Sequence, residues 1–190
     1  MEFDERLRIQ LACDLRIHRL LNGKWRVSGA HGLIDRRPEA RMVNRCQERQ
    51  IRLLTYGILC GGFLSDKYMG QPEFGRWTLE TASLKKYKQL IDAWGGWGLF
   101  QDLLKTLKDI ADKHAVSVAN VATRTILDKP KVAGVIVGVR LGLRDHREEN
   151  PRVSSLQLDG QDLERIETLL TRSNDLYRVI GDCGDEYRLS

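Results

Sequence analysis

Residues 51–68, IRLLTYGILCGGFLSDKY, constrain the fold more than any other stretch. Ile51, Leu53 and Leu54 form an apolar run that reads as a buried parallel strand over residues 51–57. The run stops at Tyr56-Gly57, and Gly61-Gly62 follow with Cys60 and Ser65 as small neighbours. A strand that ends in a glycine-bearing loop is a common ligand-holding arrangement in α/β folds. The strand fixes the loop, and glycine lets backbone amides approach a phosphate. Two glycines also make a plain tight turn, so spacing alone leaves both readings open.

Two segments carry a resemblance. Tyr56-Gly57-Ile58-Leu59-Cys60-Gly61-Gly62-Phe63-Leu64-Ser65-Asp66-Lys67-Tyr68 resembles the Y-S-P-L-x-x-G-x-L-x-G-K-Y segment of the aldo/keto reductases. Downstream, VAGVIVGVR at residues 132–140, with Glu148-Glu149-Asn150 after it, is similar to that family's last barrel strand and its I-x-G-x-R…E-N cofactor motif. The order and spacing of the two agree. The likeness runs from about Leu33 to the C-terminus, with a weaker echo in residues 3–13. It implies an α/β fold, a (β/α)8 barrel that reduces aldehydes and ketones with NADPH.

Size then limits the expectation. A full barrel of this kind takes about 250 residues, and this chain has 190. The expected architecture is therefore a C-terminal half-barrel, with residues 33–190 as the C-terminal part of the reductase domain and residues 1–32 as a degraded or divergent segment. A hydrophobic content of 42% suits one core and not two full domains. The net charge of +5 is scattered among acidic neighbours, as in Asp35-Arg36-Arg37, which argues against a nucleic-acid surface. Cys13, Cys46, Cys60 and Cys183 are far apart and form no metal or disulfide pattern, as expected of reduced thiols in the cytoplasm. The first ten residues lack the apolar core of a signal peptide, and no apolar stretch approaches a membrane span.

Along the chain, Leu7, Leu11 and Leu15 fall at four-residue intervals and predict a helix over residues 4–14 with Asp4 as its cap. Residues 16–32 are anomalous. The family would place here a strand bearing a polar amide for the nicotinamide, but no Gln stands at the matching place. The stretch reads as foreign sequence spliced into the frame in preference to a diverged strand, and Asn22-Gly23 fit a hairpin turn. Helices are predicted over residues 38–50, 81–93, 97–114, 118–127, 142–150 and 160–172, and a second strand over residues 132–137. Trp94 and Trp97 read as packing anchors, with ligand contact as the alternative. The tail from residue 174 has the place of the family's C-terminal loop beside the substrate pocket.

The resemblance also implies roles. Tyr56 would lie face to face with the nicotinamide, and Leu59, Gly62 and neighbouring amides would line the pyrophosphate. Gly138 would let the backbone pass close to the adenosine half. Arg140 would meet the 2′-phosphate, where a fork of fixed donors suits a dianion better than a lysine does, which favours NADP(H) over NAD. Glu149 and Asn150 match residues that hold the adenine. His146 stands nearby as a stacking group or as plain surface. The family's catalytic Asp, Tyr, Lys and His find no counterpart, so no catalytic residue is assigned; Asp66, Lys67 and Tyr68 share residue types with them but align with an ordinary post-loop segment. The expectation is a truncated reductase that keeps its cofactor half and does not turn over alone. The alternative is a non-catalytic NADP-binding or interaction half-barrel. Its open sheet edges would pair with another copy or with a partner chain.

Overall fold

The computed structural model describes residues 8–12, 15–18, 20–23, 33–37, 39–138, 146 and 148–181. Its regular elements are β1 (Arg8–Ala12), β2 (Leu15–His18), β3 (Leu20–Gly23), α1 (Glu39–Glu48), β4 (Leu53–Tyr56), α2 (Ala82–Trp94), α3 (Gly96–Lys113), α4 (Val118–Leu127), β5 (Val132–Gly138), α5 (Gly160–Leu170) and α6 (Leu176–Ile180). β1 and β2 form an antiparallel ribbon, with Ile9 opposite Ile17. The other three strands make a parallel sheet in the order β3-β5-β4.

The N-terminal region corrects two expectations. Residues 8–12 are a strand and not part of a helix. Arg8-Ile9-Gln10-Leu11 alternate polar and apolar, as do Leu15-Arg16-Ile17-His18, and this two-residue period overrides the four-residue leucine spacing. Asn22-Gly23 are not a turn either. They end a parallel strand, with Asn22 opposite Val137 and Gly23 opposite Gly138. The long-range pairing to β5 wins over a local turn preference.

The helices follow their sequence signals more closely. Thr81 caps α2 by accepting from the Leu84 amide at 3.2 Å. Ser117 and Asn120 form a reciprocal capping box that starts α4. Asp159 and Asp162 do the same for α5. The tail departs from a simple loop, because α6 docks there. Asn174 donates its backbone N–H to the Trp94 carbonyl at 2.8 Å and its side-chain amide to Ala93 at 3.0 Å. The predicted helix over residues 142–150 lies largely outside the described residues; Asn150–Ser154 form a short 3-10 turn.

Two cores result. The larger joins α2, α3, α4 and α5 through Ile91, Trp94, Phe100, Leu104, Val121 and Ile166, and takes in Leu33, Ile34 and Phe63. Both tryptophans are packing residues: Trp94 is buried, and Trp97 is buried with its indole N–H donating to the Gln71 carbonyl at 2.9 Å. The smaller core, Ile58, Ile126, Leu127, Val132, Val135 and Val137, lies between α4 and one face of the sheet. Leu59 packs against both. On the opposite face Leu54 is 37% exposed, and Tyr56 and Ile136 are half-buried.

Candidate functional site

Tyr56 is the last residue of β4 and stands in register with Ile136, two residues before Gly138 at the end of β5. Because the strands are parallel, Tyr56 and Gly138 emerge at the same end of the sheet, the end where α/β folds hold ligands. Gly138 is exposed, and a Cβ built on it meets nothing within 4 Å. Thr55, one residue earlier, buries a hydroxyl with no partner. Its register with Val135 puts it on the α4 side of the sheet, so this orphan belongs to the strand's packed face and not to the open end.

The loop after β4 turns through Cys60, Gly61 and Gly62 in left-handed backbone, with φ of 50°, 67° and 100°. Its two glycines differ in purpose. A Cβ on Gly61 would sit 2.8 Å from the Tyr87 ring, so this glycine is there for close packing against α2. A Cβ on Gly62 would meet nothing. The amide of Gly62, however, already donates to the Leu59 carbonyl at 2.8 Å, and Leu64 donates to the same oxygen at 3.2 Å. What Gly62 offers is open space, not that amide. The Cys60 thiol is buried, and burial, with Asp35 adding, pushes its pKa far up, so it stays a neutral, unreactive group.

The second cluster is held from below by α4. His146 Nδ1 and Glu149 Oε2 are 2.9 Å apart, and the Asn150 amide donates to the His146 carbonyl at 2.9 Å. Asn120, itself buried, donates its side-chain amide to the Glu149 carbonyl at 3.2 Å. A hydrogen bond from Ser117 holds the Glu149 carboxyl below its usual pKa. Desolvation opposes that shift, and the His146 contact adds to it. His146, Glu149 and Asn150 are therefore one knit turn. Ser117 and Asn120 are the residues sequence reasoning missed here. Their S-x-x-N spacing was legible only as a helix cap, and nothing in the sequence links the cap to a turn some thirty residues away. Arg140 lies outside the described residues.

Asp66 is tied to the neighbouring helices. Asp66 accepts from the Val118 amide at 3.4 Å and faces Lys108 at 3.9 Å, which makes it a helix-end anchor. Among the described residues no group of three or more His, Cys, Asp or Glu converges as a metal site. Nor is any helix there long and apolar enough to cross a membrane.

Comparison with known proteins bears on the whole arrangement. One curated relative, "Flagellar radial spoke protein 5" of Chlamydomonas reinhardtii, is 34% identical over 89 residues. That alignment covers 46% of this chain and 17% of the relative, so the chain corresponds to only a small part of that protein's length. The sequence pattern of the aldo/keto reductase family matches residues 26–171, beginning upstream of Leu33 and spanning most of the chain. With that match, a parallel sheet and its helices in barrel-like alternation, the chain belongs to the aldo/keto reductase family.

Proposed function

We propose that the chain binds NADP(H) at the C-terminal ends of β4 and β5 and does not reduce carbonyl compounds on its own. The observation that carries this reading is the joint emergence of Tyr56 and Gly138 at one end of adjacent parallel strands. The residues present suit the cofactor, since Gly62 and Gly138 both leave space that a side chain would fill. In this reading Tyr56 lies against the nicotinamide, the turn from Leu59 to Gly62 borders the pyrophosphate, and Gly138 admits the adenosine half. Arg140 pairs with the 2′-phosphate, and His146, Glu149 and Asn150 hold the adenine side. Bound NADPH supplies a hydride. A proton donor for the carbonyl oxygen is what the chain lacks, because the family's catalytic Asp, Tyr, Lys and His have no matching positions. The same reading places the chain in the cytoplasm, where its thiols would stay reduced.

A second reading, a non-catalytic interaction module, draws on the exposure of Ile51 and Leu54 at β4 and on a relative named as a radial spoke protein. Titration with NADPH, followed by tryptophan fluorescence, separates the two. Saturable binding that weakens by about tenfold or more in Arg140→Ala, roughly 1.4 kcal/mol, supports the cofactor reading. No saturable binding by the folded chain overturns it and leaves the interaction module.

A further inference from the structure

The order of the parallel strands says where the barrel is interrupted. β5 is the last strand among the described residues and pairs with two neighbours: β4, the strand before it, and β3, the first of the three. Among the described strands β3 and β4 are consecutive, yet they do not pair. In an eight-stranded β/α barrel built in chain order, each strand pairs with its predecessor, and the ring closes by pairing the last strand with the first. The β4–β5 pair is a sequential step, and the β5–β3 pair is the closure. The interval from β3 to β4 is the gap. Residues 24–52 span it, and that is about the length of one strand–helix–strand unit, roughly 30 residues, so several units do not fit.

We propose that β3, β4 and β5 hold the first, seventh and eighth positions of the barrel, and that the opening between β3 and β4 is a docking surface for a polypeptide carrying the intervening five β/α units. The proposal goes beyond the cofactor reading and stands whether or not NADP(H) binds. It also differs from a partner that supplies the early strands, because the first position is already filled. Among the described residues the outer edges of β3 and β4 pair with no other strand. Each runs parallel to β5 and so continues a parallel sheet. Ile51 and Leu54, exposed beside one edge, are the apolar surface that a sixth barrel strand would cover. A second copy of this chain is the poorer occupant. Two sets of three strands make six, which does not close an eight-stranded ring.

The test mixes the full chain with either of two polypeptides from a complete aldo/keto reductase. One carries its second to sixth β/α units and the other its first to sixth. Light scattering after size exclusion reads the complexes. A one-to-one complex with the shorter polypeptide, about tenfold or more tighter than with the longer one, supports the proposal, because the extra strand competes with β3. Equal or tighter binding of the longer polypeptide overturns it, as does a dimer of this chain that excludes both. If the isolated polypeptides do not fold, amide exchange on the chain alone decides. At least one amide in Leu20–Gly23 exchanging within about tenfold of the β4 amides supports β3 as a paired strand, and fast exchange throughout it overturns the strand order.

Discussion

The two cores differ in how far each is finished. Among the described residues the helical core is the more complete: Phe100, Leu103, Leu104, Leu107 and Ile110 of α3 are fully buried, ringed by α2, α4, α5 and the Phe63–Phe74–Trp97 aromatic group. Among the described residues the sheet core is six residues on one face, and the other face leaves Leu54 and Tyr56 partly in solvent. An outer helical layer can thus be satisfied locally, since neighbouring helices supply each other's contacts. A barrel interior cannot, because its layers draw side chains from strands all around the ring. Stability is therefore concentrated in the helices and the candidate site in the less complete layer.

The contrast predicts unequal costs for core truncations. Phe100→Ala should cost about 3–5 kcal/mol, the usual range for a buried aromatic. Val137→Ala should cost about 1.5 kcal/mol, two methyl groups' worth of burial. Urea unfolding read by tryptophan fluorescence measures both; equal costs would mean that the sheet is as fully packed as the helices.

A comparable loss is expected where residues 33–37 meet the last described residue, Gly181. Arg37 grips Asp35 through Nη2 at 2.8 Å and Nε at 3.0 Å, both side chains are 1% exposed, and Arg37 also donates to the Gly181 carbonyl at 3.1 Å. Arg37→Ala strands a buried carboxylate and should cost about 3–5 kcal/mol. Arg172→Ala, which breaks the exposed pair with Asp102, should change stability by less than about 1 kcal/mol. If the Arg37 variant unfolds no more easily than the Arg172 variant, the segment at Leu33 is not part of the helical core.

The same division governs what could be read from the sequence. α4 falls at Val118–Leu127, the predicted bounds, because Ser117 and the end of the apolar stripe are local signals. The strand at β5 was legible because its run of valines and isoleucine has few other uses. β1 and β3 were not. Their period is short, and β3 owes its conformation to Val135–Gly138, more than a hundred residues away. At the site, Tyr56 and Gly138 could be placed at strand ends from spacing, but the different uses of Gly61 and Gly62 depend on Tyr87, which spacing does not reveal.

Those two glycines give the next test. Gly61→Ala meets the Tyr87 ring as well as backbone strain, and should lose about 2–3 kcal/mol. Gly62→Ala meets strain alone and should lose about 1 kcal/mol. Its larger effect should be on NADPH affinity. Equal stability losses would show that Tyr87 yields to the added methyl and that Gly61 is not a packing glycine.

Acid should act first where α3 meets α5. The Asp162 side chain is 2% exposed, 2.8 Å from Lys113 Nζ and 2.7 Å from His114 Nε2. Burial raises its pKa, but hydrogen bonds from Lys113 and His114 outweigh that and hold it below the usual 3.8. A depressed carboxyl adds stability above its unfolded pKa and loses it as pH falls through the folded one. Stability should therefore decline between about pH 5 and 2, and Asp162→Asn should flatten that decline while lowering the neutral plateau. An unchanged acid limb in the variant would assign the pH dependence to other carboxyls.

The smallest effect links the two regions directly. If the finished helical layer organises the candidate site, a change in α4 should be felt at Glu149. Ser117→Ala removes a helix cap, at about 1 kcal/mol, and also the hydrogen bond that contributes most to the low pKa of the Glu149 carboxyl. That carboxyl should then titrate closer to its ordinary 4.5, read from its own carbon resonance, while Ser117→Thr, which keeps a hydroxyl, should leave it low. Glu149 is 39% exposed, so the change is one of proton affinity more than of stability. A Glu149 titration that ignores Ser117 would mean that the turn from His146 to Asn150 is set by its own hydrogen bonds, and that the helical layer supports the site by packing alone.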